Sequence, residues 1–330
     1  MTTLTPPAAG PDAGSPARDG RAPRWVRGIY VANLVAQGAI ILTGGIVRLT
    51  GSGLGCPTWP QCTEGSFVPV AGQVEGFHKF IEFGNRTLTF VLGLLAIAAV
   101  VAALVDARRR RSAGLPRRPV LTRLALVPIL GTVAQAVLGG ITVLTGLSPL
   151  VVGAHFLVSM VIVLLCTVLV QRAGDPGDEP VVDLVRREIR LGVHAVTGVM
   201  AAVVVVGVLV TASGPHAGDA DTPRLGLDPA TVAWLHADLV FLAIGLLVGL
   251  IVAMRTTAAP DGPRHAAVVV LLLMLAQGGV GYLQYFTGLP WLLVAVHLLG
   301  SVLVWWATVR LMLSTRSRGY EAVTAVAAAV

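Results

Sequence analysis

The chain has 330 residues, of which 55% are hydrophobic and only 12% are charged, and its mean hydropathy is +0.80. A soluble domain carries about 25% charged residues because its surface faces water, so this composition excludes an ordinary soluble protein. The net charge of +7 comes from 24 basic and 17 acidic residues. The basic residues cluster between apolar runs, which is typical of cytoplasmic membrane loops and not of a nucleic-acid-binding surface.

Eight apolar stretches predict eight membrane-spanning helices. About 20 residues, at 1.5 Å per residue, cross the ~30 Å hydrocarbon layer of a bilayer. An isolated strand cannot satisfy its backbone in lipid, so each stretch is interpreted as a helix. The predicted spans are residues 28–47, 80–105, 124–146, 149–171, 191–211, 231–253, 266–287 and 290–309. We therefore expect an all-α integral membrane protein.

The distribution of basic residues predicts the orientation of the spans. With the N-terminus in the cytoplasm, 20 of the 24 basic residues fall on the cytoplasmic side, as the positive-inside rule requires. Residues 1–27 contain no apolar run, and we expect a disordered cytoplasmic arm and not a signal peptide. The linker 172–190 and the tail 311–330 are also expected in the cytoplasm, and the loop 48–79 is expected on the extracytoplasmic side.

Two of the three cysteines, Cys56 and Cys62, lie together in the loop 48–79. Disulfides persist outside the cytoplasm, and the two prolines between these cysteines restrict the backbone so that the thiols can approach. We predict a disulfide, either as a structural staple or as a redox-active pair, and two free thiols are the alternative. Cys166, in the middle of a span, is expected to be an inert buried thiol.

The sequence contains an internal repeat. Residues 134–155 and 276–297 agree without a gap: each places Ala-Gln at its start, Thr-Gly in a short loop and a histidine at its end. Upstream, TGSG at 50–53 matches TASG at 211–214. Self-similarity of this kind indicates two copies of one structural unit.

The repeat predicts two tandem four-helix bundles, residues 28–171 and 191–310. Each contains an even number of spans, so both have the same orientation in the membrane, unlike the inverted repeats of many transporters. In the alignment of the second helix of each bundle, Asn85 stands opposite His236.

Three histidines, His155, His236 and His297, lie a few residues from the same end of their helices. Neutral imidazoles that face each other across a four-helix bundle bind a haem iron axially. One histidine in an apolar helix is more often a hydrogen-bonded structural residue, but three at one depth favour ligation. We predict that His236 and His297 bind one haem iron. His194 and His265 are expected at helix ends, and His216 at an outer interface or near a haem propionate.

The second predicted helix begins with the sequence HKFIEFGNR at residue 78. His78, Glu82 and Asn85 stand at i, i+4 and i+7 on one helix face, with Arg86 beside them. Asparagine is a poor iron ligand, so a haem site in the first bundle is not a copy of the second. Glu82 is a candidate general acid or base, or it only neutralises Arg86 four residues further on.

The segment GGIVRLTGSGLGCPTWPQC at 44–62, the segment IEFGNR at 81–86 and the paired histidine helices together resemble haem A synthase. The resemblance covers all eight spans and is to the actinobacterial type, with asparagine in place of one haem-ligand histidine of the first bundle. It implies a cell-membrane oxidoreductase that converts the C8 methyl of haem O to the formyl of haem A for cytochrome oxidase maturation. The implied partners are haem O, haem O synthase and membrane lipid, with no nucleic acid; a homo-oligomer is compatible.

The resemblance also implies which residues hold haem. His236 and His297 correspond to the ligands of a resident haem b, and Asn85 and His155 to those of the substrate haem O. We expect His155 to be the firm ligand of the substrate and Asn85 to leave an axial position open or held by water. His78 is expected to be a second ligand or a propionate partner.

Within the same resemblance, Glu82 corresponds to the catalytic glutamate, Cys56 and Cys62 to the outer-loop pair, and Arg86 is placed among the cofactor-binding residues. Two other functions stay open at this point. A quinol-linked di-haem cytochrome b needs two complete histidine pairs, and a haem transporter is disfavoured by the parallel repeat.

Overall fold

The computed structural model describes residues 21–318, in which nine helices and two short strands follow one another. The elements are α1 (Arg24–Leu49), α2 (His78–Ser112), α3 (Pro119–Leu124), α4 (Val127–Leu144), α5 (Pro149–Gly174), β1 (Val182–Asp183), α6 (Arg187–Ser213), α7 (Pro229–Thr256), α8 (Asp261–Phe286), α9 (Trp291–Ser314) and β2 (Arg316–Ser317). With α3 and α4 counted as one segment, eight helical segments of this described part are long and apolar enough to cross a membrane. The prediction of eight spans is confirmed.

The third span, Pro119–Leu144, begins five residues before the predicted start at 124 and consists of two helices, α3 and α4. Pro128 is the second residue of α4. A proline has no amide hydrogen and disfavours the helical conformation of the residue before it, so it is tolerated in the first turn of a new helix and not inside a continuous one. The other marked difference is the length of α2, which continues to Ser112, beyond the predicted end at 105. Its last turn carries three arginines, whose positive charge suits a helix C-terminus.

Each half of the chain forms a ring of four helical segments. In the first half α1 contacts α2, α2 contacts α4, α4 contacts α5, and α5 contacts α1. In the second half α6, α7, α8 and α9 make the same four contacts in the same order. The halves meet where α9 packs against α1 and α5, and where α5 packs against α6. These contacts agree with the two tandem bundles predicted from the sequence, which remain a proposal.

The two ends of the helix assembly carry different loops, because successive spans alternate in direction. The cysteine-loop end consists of the segments 50–77, 145–148, 214–228 and 287–290. The arginine-rich end consists of the segments 113–118, 175–186 and 257–260. All three histidines of the predicted haem sites lie in helices near the cysteine-loop end. At that end the Asp228 side chain accepts hydrogen bonds from the Thr231 hydroxyl and amide, which hold the pKa of Asp228 below its ordinary value and cap α7.

The halves are held together by close side-chain packing. Apolar side chains gain little by leaving lipid for a protein interior, so helix contacts in a membrane depend on fit and on hydrogen bonds. One such bond crosses between the halves: the indole Nε1 of Trp305 on α9 donates to the carbonyl of Met160 on α5 at 2.9 Å. Both residues belong to the largest group of buried apolar side chains in the described chain.

A two-stranded contact at the arginine-rich end was not predicted. The strands β1 and β2 pair antiparallel, with Val182 opposite Ser317, so the predicted linker touches the start of the predicted tail. Strands of two residues are too short to show a sequence period, and for this reason the pattern gives no sign of them. Residues 1–20 and 319–330, which include most of the predicted arm and tail, lie outside the described residues.

Candidate functional site

Each of the three histidines packs its ring against a glycine of a neighbouring helix. A Cβ atom built on that glycine would lie only 3.2–3.3 Å from the imidazole Cε1. The pairs are His155 with Gly139, His236 with Gly207, and His297 with Gly281. Glycine at these positions thus leaves room for the ring, and a Cβ there would be in tight contact with it. The ring atoms nearest to that position are Cε1 and Nδ1.

A second contact of the histidine helices, made by a glutamine side chain, occurs in both halves. The side-chain amide of Gln135 on α4 donates to the carbonyl of His155 on α5 at 2.9 Å. In the second half the amide of Gln277 on α8 donates to the carbonyl of His297 on α9. Carbonyl groups inside a helix can accept such a second bond, which fixes the rotation and depth of the helix that carries the histidine.

His236 and His297 are placed as two ligands of one metal would be. Their ring centres are 6.5 Å apart, with an angle of 64° between the planes. An imidazole nitrogen lies about 2 Å from a bound metal and about 1 Å from its own ring centre, so two rings on opposite sides of one iron have centres roughly 6 Å apart. The observed spacing and the glycine contacts therefore fit a haem iron between α7 and α9.

The first half differs at two positions, not one. The Asn85 Oδ1 accepts a hydrogen bond from the Thr43 hydroxyl at 2.8 Å. In the alignment of TGSG with TASG, Ile46 takes the place of Gly207, and Ile46 and Asn85 line one groove of about 210 Å³ between α1 and α2. By this alignment the first half has an isoleucine at the position where the second half has the glycine beside the imidazole. The surroundings of position 85 in the first half therefore suit an asparagine side chain.

The predicted disulfide is confirmed: Cys56 and Cys62 are joined, with their Cα atoms 4.3 Å apart and both residues buried. The loop that they close lies against α2. The amide of Cys56 donates to Glu82 Oε2 at 2.6 Å. The other carboxylate oxygen of Glu82 receives Arg86 Nε at 3.0 Å and Nη2 at 2.5 Å. Glu82 is thus held from two sides.

Arg86 binds the disulfide loop through its backbone. Its Nη2 donates to the Cys56 carbonyl at 2.6 Å, and its Nη1 donates to the carbonyls of Thr58 and Gln61 at 2.9 and 3.0 Å. A guanidinium presents its donors in a rigid fork, and here all three nitrogens contact the protein. The ion pair with Glu82 that the sequence suggested is present, as one part of this larger network. We call Glu82, Arg86 and the loop 56–62 the disulfide-loop clamp.

His78 lies at the beginning of α2, at the edge of the clamp. Its side chain is exposed, and its Nδ1 is 2.8 Å from the hydroxyl of the buried Ser52. The neighbouring Lys79 donates to the Val70 carbonyl at 2.6 Å. His78 thus organises the segment after α1, one turn above Glu82, and its predicted role as a haem ligand or propionate partner stays a prediction.

The other singled-out residues lie outside these sites. His194 and His265 are exposed near the arginine-rich end. The Nε2 of His216 lies 2.9 Å from the Leu289 carbonyl and joins two segments of the cysteine-loop end. Asp238 is exposed on the outer face of α7. Cys166 is buried and free, as predicted.

Sequence reasoning missed the glycines that admit the rings, the Ile46–Asn85 pair and the loop carbonyls bound by Arg86. The glycines could have been predicted, since Gly139 and Gly281 occupy the same position of the aligned repeat. The loop carbonyls carry no sequence signal, because any residue supplies one.

The fold and these contacts define a multi-pass membrane protein in which histidines on bundle helices form candidate haem sites. Residues 27–226 match the family model COX15-CtaA, described as cytochrome oxidase assembly protein. The chain belongs to this family, so the resemblance seen in the sequence is confirmed at the level of the family.

Curated relatives carry the name heme A synthase. The proteins of Geobacillus kaustophilus and Exiguobacterium sibiricum are 29% and 32% identical over 43% and 45% of this chain, and the alignments cover 40% and 48% of those proteins. The chain therefore matches less than half the length of these two relatives. The heme A synthase of Bacillus cereus is 26% identical over 89% of this chain and 95% of its own length.

Proposed function

We propose that this protein is a haem A synthase, an oxidoreductase that converts the C8 methyl of haem O to a formyl group. The observation that carries the proposal is the disulfide-loop clamp, which fixes one carboxylate, Glu82, in the bundle that contains His155. Family membership and the names of the relatives support it. The protein would act in the cell membrane, with the cysteine-loop end extracytoplasmic and both termini cytoplasmic, and would receive haem O from a haem O synthase.

We assign the resident haem b to the second bundle, residues 191–310. His236 and His297 are its ligands, and the separation of their rings supports this assignment. A haem held by these two imidazoles would supply electron transfer. The chain's contribution is to hold the two rings apart at the required distance through Gly207 and Gly281.

We assign the substrate to the first bundle, residues 28–171, with His155 as its ligand. Asn85, engaged with the hydroxyl of Thr43, leaves the opposite face of the substrate open or held by water. Conversion of a methyl to a formyl group removes four electrons and four protons and takes the oxygen from one water molecule. Glu82 stands one helical turn from Asn85 and is the carboxylate placed to receive protons from this side.

The disulfide has a positional role in this proposal. Both cysteines are buried, and the loop they close delivers the Cys56 amide to Glu82 and three carbonyl groups to Arg86. Arg86 is thereby a positioning residue, since its donors are occupied by the protein. The loop and Arg86 together fix the direction in which the Glu82 carboxylate points.

The alternatives are less well supported. A quinol-linked di-haem cytochrome b needs a histidine pair in each bundle, and the first bundle has Asn85 and Ile46 where the second has His236 and Gly207. A haem transporter gives no reason for a carboxylate held by three donors.

The proposal is tested by extracting haems from a host that makes haem O but no haem A of its own. Cells that express the protein should contain haem A, and the purified protein should retain haem b. Glu82→Gln should keep haem b and accumulate haem O, with haem A formation lower by about 100-fold, a typical contribution of acid–base catalysis. Glu188→Gln, exposed in the first turn of α6 at the arginine-rich end, is the control. Absence of haem A from cells that contain stable wild-type protein and haem O would reject the function.

A further inference from the structure

Two arginines at the cysteine-loop end are not used by the proposed function. Arg48, near the end of α1, reaches across to the second bundle and donates from Nη2 to the carbonyl of Thr211 on α6 at 2.7 Å. Its Nε is buried and has no hydrogen-bond partner among the described residues. A buried donor without an acceptor is costly, and a bound group is one explanation for it. The Nε of Arg48 therefore lacks an acceptor within the described protein.

Arg224 brings a second positive charge to the same place. It lies in the segment 214–228, donates to the carbonyls of Thr222 at 3.1 Å and Pro215 at 2.6 Å, and is close enough to Arg48 for the two charges to repel. In the described part of the chain neither arginine forms an ion pair. Two neighbouring guanidinium groups without a carboxylate favour an anionic ligand.

The pair stands directly above the His236–His297 site. The Thr211 hydroxyl donates to the carbonyl of Gly207 at 2.9 Å, and Gly207 is the glycine that contacts His236. The Arg48 contact is therefore one helical turn, about 6 Å, from the level of that ring, toward the cysteine-loop end. Three residues before Arg48, Gly45 packs against Leu298, the residue next to His297. Helix α1 of the first bundle thus contacts α9, which carries His297, and α6, which carries the glycine beside His236.

The two candidate ligands lie at a similar depth. His236 and His297 stand seven and six residues into α7 and α9, and both helices begin at the cysteine-loop end. The carboxylates of a haem held by these residues would need a polar exit from the apolar layer, and the cysteine-loop end is the nearer one.

We propose that Arg48 and Arg224 bind the propionate carboxylates of the haem held by His236 and His297. The inference rests on the proposed haem b site and adds its anion-binding part. It also makes that site a joint product of both bundles, since Arg48 belongs to the first bundle and the iron ligands to the second. The segment 214–228 is held in place for this by the bond from the Gly53 amide to the Gly218 carbonyl at 2.8 Å.

The test uses the purified holoprotein in detergent, with haem b loss followed by transfer to apomyoglobin and the midpoint potential followed by redox titration. Arg48→Gln and Arg224→Gln should each keep the low-spin spectrum. The double variant should lose haem about tenfold faster or more, the value expected for loss of a charge-assisted hydrogen bond. Its midpoint potential should fall, because positive charge near the carboxylates favours the reduced haem. Arg255→Gln, exposed at the arginine-rich end, should change neither quantity, and Arg48→Lys should retain much of the potential.

Several outcomes would overturn the proposal. Unchanged potential and haem loss in the double variant would show that the arginines do not contact the haem. Faster loss with an unchanged potential would mean that Arg48 only caps α6. An effect seen only in nanodiscs of anionic lipid, and absent from detergent and from neutral lipid, would identify a phospholipid headgroup as the ligand. Wild-type protein without haem b would instead reject the haem b site itself, an outcome distinct from these.

Discussion

The glycines beside the histidine rings have no Cβ atom, and this leaves space for the imidazoles. At Gly207 and Gly281 the absence of a Cβ leaves the room that the imidazoles of His236 and His297 occupy. In the first bundle the aligned Ile46 carries that carbon and three more beyond it, and Asn85 stands in the place of the histidine. The residue that ligates and the residue that makes room thus differ together between the halves.

The first prediction follows from this pairing. Asn85→His alone should not create a second bis-histidine haem, because the Ile46 side chain fills the space of the ring. The double variant Ile46→Gly/Asn85→His should ligate the first-bundle haem from both sides, together with His155. Electron paramagnetic resonance of the purified proteins distinguishes the two, since the double variant should show a second low-spin signal. The same second signal in Asn85→His alone would contradict the steric argument.

A second prediction concerns Gly281. An added methyl group would lie 3.3 Å from Cε1 and 3.7 Å from Nδ1 of His297, so Gly281→Ala must displace the ring. Overpacking of this kind costs about 1–3 kcal/mol, and haem b should dissociate about 5- to 100-fold faster. Gly279→Ala on the same helix is the matched control, because a Cβ there meets nothing within 4 Å. Equal haem retention in both variants would refute the role of the glycine.

At the scale of elements, the loop 56–62 and helix α2 form one unit. The loop has few hydrogen bonds of its own, such as the one from the Thr58 hydroxyl to the Gln61 carbonyl, and Arg86 adds bonds to three of its carbonyls. The disulfide limits the conformations of the loop before Arg86 binds it. Removing either constraint should release Glu82 on its Cys56 side while the iron ligands stay in place.

The third prediction tests this unit. Arg86→Gln and the pair Cys56→Ser/Cys62→Ser should each lower haem A formation by about tenfold or more while the protein still binds haem O. Combining all three changes should add little, because residues of one network are non-additive. The readouts are the haem A to haem O ratio and proteolysis of the loop, with Arg123→Gln, exposed on α3, as the control. Independent, multiplying losses would contradict a shared function of the loop and Arg86.

At the scale of the whole molecule, the arrangement of the spans could be predicted and the sites only in part. The thickness of a bilayer fixes the length of an apolar helix, so all eight spans follow from hydropathy. The repeat pointed to His155 and His297 as equivalents. Of the disulfide-loop clamp, only the ion pair between Glu82 and Arg86 could be predicted, because its other contacts use backbone atoms. The contact of Arg48 with Thr211 joins residues 163 positions apart, a distance over which one sequence gives no local signal.

The fourth prediction concerns the orientation of the whole molecule. Single cysteines introduced at two exposed positions, Ala71→Cys at the cysteine-loop end and Ser112→Cys at the arginine-rich end, should differ in their access. A membrane-impermeant maleimide should label the first in intact cells and the second only after lysis, since the basic segments stay in the cytoplasm. The native cysteines give a low background because they are buried or disulfide-bonded. The reverse labelling pattern would invert the topology.

The pairing of Ile46 with Asn85 also has a consequence for descent. If the two bundles arose from one duplicated ancestor, the first bundle reached its present state through changes at two positions that line one groove. From this state a return to histidine at 85 brings no ligand until position 46 has also become glycine, and glycine at 46 by itself opens a void beside an asparagine. Neither Asn85→His nor Ile46→Gly restores a haem ligand by itself. This epistasis makes the divergence of the two bundles difficult to reverse.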